Sequence, residues 1–307
     1  MAISASMVKE LREKTGAGMM DCKKALTNTD GDMDKAVEWL RENGLAKAEK
    51  KAGRIAAEGI VKTNISEDGK KAAIVEVNSE TDFVAKNEKF QDFVAAVADQ
   101  VNASPAADID AFLAEPWAGD SSKTVKEELA SMVATIGENM NIRRFERLEG
   151  ALVPYVHGGG RIGVLVRFET ENVPAEVLNE CGKDVAMQIA ALNPAYLDKS
   201  TVPAEALDKE KEILMAQIQN DPKNSKKPQN IIEKMVTGRI GKFYENNCLL
   251  QQAFVKNGDL SVEQYIAEEA KKAGGTMKVT DFVRFEKGEG LEKRNDDFAS
   301  EVANMVK

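Results

Sequence analysis

A short polar run with one aromatic residue decides how this chain is organised: Asn78-Ser79-Glu80-Thr81-Asp82-Phe83-Val84-Ala85-Lys86-Asn87. Residues 73–77, just before it, are rich in β-branched side chains and predict a mostly buried strand. Just after it, apolar residues recur at the spacing of one helix face: Phe90, Phe93, Val94, Val97 and Val101. The run therefore joins a strand to a helix at a sheet edge, a common place for a contact site.

Two side chains of the join have predictable roles. Thr81 and Asp82 are of the types that cap a helix by accepting its free backbone N–H groups. Phe83 allows two interpretations. It precedes Phe90 by two helical turns and so could extend the buried face of the helix, or it could be an exposed contact. Periodicity leaves both interpretations open.

The composition places the chain among folded proteins with more than one compact unit. It has 307 residues, of which 43% are hydrophobic. No stretch reaches the roughly 18 consecutive apolar residues that span a bilayer, and the start of the chain reads as a charged amphipathic helix instead of a signal peptide. A net charge of −9 argues against direct binding to nucleic acid. We therefore expect a cytoplasmic protein with a protein partner and no membrane contact.

The titratable residues argue against an enzyme. Cys22, Cys181 and Cys248 are far apart and are interpreted as buried reduced thiols, and His157 is the one histidine, so no metal site and no cofactor are expected. His157 begins a His-Gly-Gly-Gly run that matches the oxyanion loop of some esterases, but no Gly-x-Ser-x-Gly nucleophile motif accompanies it. These glycines fit a hairpin turn, which leaves the histidine free as a contact.

The first 45 residues predict three helices joined by tight glycine-containing turns, which make a small bundle. Asp32 caps the third helix, and Asn43-Gly44 is predicted to end it. An Ala/Lys-rich linker helix, 45–53, then completes a domain of residues 1–55.

Met19 and Met20 open the second helix of this bundle. Because the bundle is so small, we expect at least one of the two side chains to face outward as an adaptable contact. A loosely packed core explains the pair almost as well.

One α+β pattern occurs twice. Residues 58–77 predict a hairpin that leads through the join into a helix, and about 90 residues later residues 149–167 predict a second hairpin followed by a helix over 175–192. The second join lacks the Asp-Phe pair. A structural requirement common to both copies would not explain residues that only one has, so this difference favours a functional role for Asp82 and Phe83.

The predicted fold class is therefore α+β, with a core of two repeated α+β subdomains: 56–142, and 143–203 with 247–291. Two apolar stripes around a polar tip at 220–228 predict an antiparallel coiled-coil hairpin over 204–246, inserted into the second subdomain. Residues 292–307 are predicted to form a C-terminal helical module.

Several long motifs together are specific. They are Arg12-Glu13-Lys14-Thr15-Gly16-Ala17-Gly18-Met19-Met20-Asp21-Cys22-Lys23-Lys24-Ala25-Leu26, Glu76-Val77-Asn78 with Thr81-Asp82-Phe83-Val84-Ala85-Lys86, and Ile136-Gly137-Glu138-Asn139-Met140-Asn141-Ile142-Arg143-Arg144. With His157-Gly158, 161–164 and 284–290, the chain resembles the bacterial elongation factor Ts family over nearly its full length. It departs from the family pattern around Trp117 and at a longer tip in 220–228.

The resemblance implies a guanine-nucleotide exchange factor for the GTPase elongation factor Tu, with a ubiquitin-associated-like N-terminal bundle. By similarity, the segment that disturbs the partner's Mg²⁺ site comprises Thr81, Asp82, Phe83 and Val84. The partner-binding residues that it implies are Arg12, Met19, Met20, Ile136, Gly137 and His157, and the last helix would add a further contact. The alternative class is a scaffold that uses the same bundle and hairpin without driving exchange, and a homodimer or a heterotetramer is left open.

Overall fold

The computed structural model describes residues 3–221, 223 and 227–293. It opens with a bundle of three helices, which are α1 (Ala5–Thr15), α2 (Met19–Asn28) and α3 (Met33–Lys51). Leu11, Cys22 and Leu26 are fully buried in a small core of its own. The bundle therefore has the separate core that the sequence predicts.

The third helix does not end at Asn43-Gly44, and this prediction is wrong. α3 continues to Lys51, so the expected linker helix is its second half. Gly44 is buried against Ala134, and a Cβ at this glycine would lie 3.9 Å from the Cβ of Ala134. The small residue therefore serves close packing between helices instead of a helix end.

The first α+β unit follows the bundle. Its elements are β1 (Glu58–Ile65), β2 (Lys71–Ser79), α4 (Asp82–Ala85), α5 (Glu88–Ala103), α6 (Ile109–Ala114), β3 (Pro116–Trp117), β4 (Asp120–Thr124), α7 (Val125–Ile136) and β5 (Met140–Glu149). The antiparallel sheet has the order β1-β2-β5. Residues of α5 and α7 pack with the sheet in one apolar core.

The second unit repeats this order with one insertion. Its elements are β6 (Ala151–His157), β7 (Ile162–Glu171), α8 (Ala175–Leu192), α9 (Ala204–Asn220), α10 (Gln229–Asn247), β8 (Ala253–Phe254), β9 (Asn257–Ser261), α11 (Val262–Lys272) and β10 (Thr276–Glu286). The sheet order β6-β7-β10 matches that of the first unit. α9 and α10 are the insertion, and they pack along their own apolar seam.

The predicted boundary at residues 142 and 143 falls inside β5, so it is corrected to the end of that strand at Glu149. The sequence pattern hides β5 because Arg143 and Arg144 interrupt its apolar residues. Both side chains pair with the buried carboxylate of Glu76 on the neighbouring strand, which lets them occupy a half-buried sheet.

The two sheets pack directly against each other. An apolar cluster between them contains Val61 and Ile74 from the first unit and Leu152, Leu165 and Phe285 from the second. The backbones also touch, because the N–H of Val61 donates to the carbonyl of Gly160 at 2.7 Å. The two units are therefore held together along β1 and β7.

The three cysteines are buried free thiols, as the sequence predicts. No described helix combines the length and the apolar content that crossing a membrane requires. The C-terminal helix that the sequence predicts within 292–307 lies almost entirely outside the described residues.

Candidate functional site

The join at the end of β2 forms a helical turn of its own. The Thr81 hydroxyl accepts from the N–H of Val84 at 3.4 Å and caps α4, whereas Asn87 caps α5 by accepting from the N–H of Lys89 at 3.0 Å. Thr81 is thus a cap, as expected, but of a separate single turn and not of the long helix.

The Glu138 side chain anchors this turn. Its carboxylate accepts from the N–H of Thr81 at 3.0 Å and from the Thr81 hydroxyl at 2.8 Å. A second carboxylate bridges in the opposite direction, because Glu80 accepts from the N–H of Asn139 at 2.5 Å and pairs with Arg54 at 3.4 Å. The loop between α7 and β5 therefore fixes the end of β2 through two reciprocal carboxylates.

Phe83 projects from this anchored turn. Val84 and Ala85 are buried beneath it, whereas 79% of Phe83 is exposed. The core interpretation of Phe83 is therefore wrong. The chain leaves the helical conformation at Lys86, and a new helix begins at Glu88. Phe83 and α5 therefore do not belong to one continuous helix, so the spacing between them does not place Phe83 on the apolar face of α5.

Asp82 is engaged within the turn. Its carboxylate accepts from the Lys86 ammonium at 2.6 Å, and this hydrogen bond is the main cause that lowers the pKa of Asp82 below its usual value. The same ammonium lies 5.9 Å from the ring centre of Phe83. Asp82 is thus ionised at neutral pH, and any new partner must compete with Lys86. The aromatic face of Phe83 is the more available contact.

The residues predicted in the N-terminal bundle lie close together around one turn. Arg12 is exposed, and its carbonyl accepts from the N–H of Gly16, which caps α1 in the left-handed conformation. Met19 and Met20 begin α2 with exposed fractions of 53% and 75%. Both methionines face outward, so the loose-core interpretation of the pair is wrong.

Ile136 and Gly137 connect the bundle to the anchored turn. Ile136 is half-buried against the first core, and Gly137 is the exposed left-handed cap of α7, with φ +93°. Lys51 at the end of α3 donates to the Gly137 carbonyl at 2.6 Å. Gly137 therefore lies between the end of the bundle and the Glu138 anchor of Thr81.

His157 lies in the other unit. It is exposed at the end of β6, and its Nδ1 is 2.9 Å from the hydroxyl of Tyr155. The hairpin turn that follows touches the first unit through Gly160, where a Cβ would lie 2.8 Å from that of Ile60. The structure thus brings Thr81 to Val84 together with Gly137, and it places His157 on a neighbouring sheet.

Sequence reasoning missed the roles of Glu80, Lys86 and Glu138. Glu138 directly follows the glycine that ends α7, which marks it as a loop residue, but only the fold shows that this loop reaches Thr81. Among residues 3–221, 223 and 227–293 there is no group of three or more His, Cys, Asp or Glu side chains that could hold a metal ion. The site consists of exposed contact groups on a fixed backbone.

Comparisons with known proteins identify the family of the chain. Residues 80–289 match the family model described as "Elongation factor TS", and residues 1–49 match the one described as "Elongation factor Ts, mitochondrial, N-terminal". Elongation factor Ts of Clostridium kluyveri (strain NBRC 12016) is 54% identical over 307 residues, and that of Clostridium perfringens (strain SM101 / Type A) is 55% identical over 306. Each alignment covers 99% of both chains. The chain therefore belongs to the elongation factor Ts family.

Proposed function

We propose that this chain is a guanine-nucleotide exchange factor for elongation factor Tu, acting during translation elongation. It binds the nucleotide-free GTPase, disturbs its Mg²⁺ site and so promotes release of GDP. The observation that carries this proposal is Phe83, an aromatic side chain 79% exposed on a turn whose backbone is fixed from both sides. A rigidly presented, exposed aromatic is the kind of group that anchors protein interfaces.

Two side chains of the turn, Phe83 and Asp82, have different roles in binding. Entering an apolar pocket of the GTPase would cost Phe83 little, because its contact within the turn is with the exposed Lys86 ammonium, 5.9 Å from the ring centre. Asp82 comes second, because its carboxylate must leave Lys86 before it can act on groups around the hard cation. That ion pair is largely solvent-exposed and therefore weak, so exchanging it on binding costs little. Thr81 and Val84 hold the turn in place.

Exchange then follows from coupling and needs no covalent chemistry, so we propose that the chain is not an enzyme in the chemical sense. The factor binds nucleotide-free GTPase more tightly than the GDP complex. Linkage requires that GDP weakens the factor by the same ratio as the factor weakens GDP. A factor equally tight on both states would shift nothing.

The remaining contacts are those that the family resemblance implies, and all of them except the half-buried Ile136 are exposed. Arg12, Met19 and Met20 would bind from the bundle, Ile136 and Gly137 from the end of α7, and His157 from the second unit. We propose that the factor acts in the cytoplasm with no membrane or direct nucleic-acid contact. A homodimer or a heterotetramer with the GTPase is compatible with this surface.

The test is release of fluorescent GDP from purified elongation factor Tu with substoichiometric amounts of the chain. We expect each molecule of factor to turn over many GTPase molecules. Adding GDP should lower the affinity of the factor for the GTPase. Adding the factor should lower the affinity of the GTPase for GDP by the same ratio. Stoichiometric binding to the GTPase without faster GDP release would support the scaffold alternative. An affinity of the factor for the GTPase that does not change with GDP would refute the coupling.

A further inference from the structure

A buried carboxylate on β2 lies where the two α+β units meet. Glu76 is fully buried and accepts hydrogen bonds on both oxygens. Arg143 and Arg144 of β5 donate to it at 3.0 and 2.6 Å, and the backbone N–H of Gly288 donates at 2.7 Å. Since Gly288 follows β10, one carboxylate binds groups from both units.

Ion pairs continue from this carboxylate into the second unit. Arg144 also pairs with Glu289 at 3.2 Å, and Glu289 lies 3.6 Å from Arg284. Arg284 in turn pairs with Glu286 at 2.7 Å, and Glu286 pairs with Arg161 at 3.4 Å. Arg161 directly follows the glycine turn after His157. The network therefore extends from the strand that leads to Thr81 to the turn that follows His157.

The backbone around Gly288 is closely packed against the first unit at this junction. Gly288 has φ +67°, and a Cβ there would lie 2.1 Å from the carbonyl oxygen of Ala57 in the first unit. Next to it, Lys287 pairs with Glu58 at the start of β1. The Gly288 N–H thus reaches Glu76 only when the turn after β10 is seated on the first unit.

We propose that Glu76 is a positioning residue whose charge locks the second unit onto the first, so that Phe83 and His157 form one rigid binding surface. The inference rests on the proposed function, in which one partner contacts both units. When two contacts share a rigid body, the second forms at high effective concentration once the first is made. Loosening the lock lowers that effective concentration without changing either contact.

Glu76→Gln tests the lock. Glutamine has the same shape and keeps an acceptor for Gly288 but loses the charge. Arg143 and Arg144 are 22% and 31% exposed at their side chains, so water can solvate them and we expect the variant to fold. The KM for the GDP complex of elongation factor Tu should rise about tenfold with kcat unchanged.

A merely stabilising residue would behave differently. Partial unfolding of the variant would lower kcat with the active fraction and leave KM unchanged, and that result would overturn the proposal. Glu58→Gln is the matched control, because Glu58 also pairs across the junction but its side chain is 41% exposed, whereas Glu76 is fully buried. We expect it to leave KM within about twofold of the parent value.

A second measurement does not depend on exchange. Spin labels on Glu67→Cys in the first unit and Glu169→Cys in the second occupy exposed positions, and the native thiols are buried. Pulsed electron resonance should give a narrow distance distribution that broadens in Glu76→Gln. An unchanged distribution would overturn the lock. If the parent chain fails to release GDP, the proposed function fails while this distance measurement still decides the role of Glu76.

Discussion

The two α+β units differ most where the second strand of each hairpin meets its helix. In the second unit the chain passes from β7 to α8 through Asn172, which has φ +55°. The turn before β10 packs against that join backbone to backbone, and a Cβ on Gly275 would lie 2.2 Å from the carbonyl oxygen of Glu171. In the first unit, the equivalent contact is made by the long side chains of Glu80 and Glu138.

This difference separates what the fold needs from what the site needs. The dense join of the second unit shows that strand, helix and turn close without α4. The first unit replaces direct backbone contact with carboxylate bridges, and the space between them holds a turn that exposes Phe83. The first unit therefore accommodates the exposed Phe83 turn with the same sheet order as the second unit.

Elsewhere the units remain alike in detail. Each has a two-stranded hairpin that leads into a helix with a reciprocal capping box, formed by Thr124 and Glu127 in the first unit and by Ser261 and Gln264 in the second. The insertion of α9 and α10 is the other large difference. The predictions below test these contrasts.

The largest expected effect is that of Phe83→Ala. Loss of an exposed anchor should slow GDP release roughly 30-fold, equivalent to about 2 kcal/mol of binding energy, with no change in the melting temperature. The control is Ile65→Ala, which removes an exposed side chain at the far end of the same hairpin. A Phe83→Ala protein that melts several degrees lower would restore the core interpretation.

Gly275→Ala should reduce the stability of the second unit, whereas Phe83→Ala should slow GDP release without reducing stability. The new methyl group has no room against the join after β7, so the free energy of unfolding should fall by roughly 1–3 kcal/mol. Thermal unfolding measures this loss, and Gly258→Ala, in open space on β9, provides the control. Equal melting temperatures would mean that the second join is no more closely packed than the first.

Arg12→Ala tests the contact outside both units. Arg12 is exposed on a bundle with its own core, so we expect association with the GTPase to weaken about threefold while helix content is unchanged. Lys9→Ala, on the same helix and also exposed, should bind like the parent. Titration calorimetry with circular dichroism distinguishes the two, and unchanged affinity would remove the bundle from the interface.

The smallest effect on exchange is expected from replacing residues 204–246 with a Gly/Ser linker. The chain leaves and rejoins the second unit at neighbouring points, because the N–H of Ala195, just after α8, donates to the carbonyl of Asn247, the last residue of α10, at 2.9 Å, and α9 and α10 pack on their own seam. GDP release should stay within about twofold of the parent rate. Sedimentation will show whether self-association is lost. A folded deletion without exchange activity would place the helices on the partner.

Local patterns predicted much of this fold. The second copy of the α+β pattern predicted the helix at 175–192, which the structure confirms. The strand β5 was not predicted, because Arg143 and Arg144 interrupt its apolar residues. Their charges are paired with Glu76, which is distant in the sequence, so local patterns do not show this contact. The same holds at the candidate site. Its exposed groups lie in recognisable motifs, whereas the Glu138 anchor depends on tertiary structure, and the binding roles stay predictions.

The cysteine thiols are buried and two methionine thioethers are exposed, and this contrast determines which sulfur atoms an oxidant reaches. Burial raises the pKa of the thiols of Cys22, Cys181 and Cys248, to about 12 for Cys181, so little reactive thiolate forms. Met19 and Met20 are instead open to peroxide, which converts a thioether into a polar sulfoxide. Within the described part of the chain, oxidants would therefore spare the cysteines and change the chemistry of the proposed contact face at Met19 and Met20, and methionine sulfoxide reductase would reverse that change.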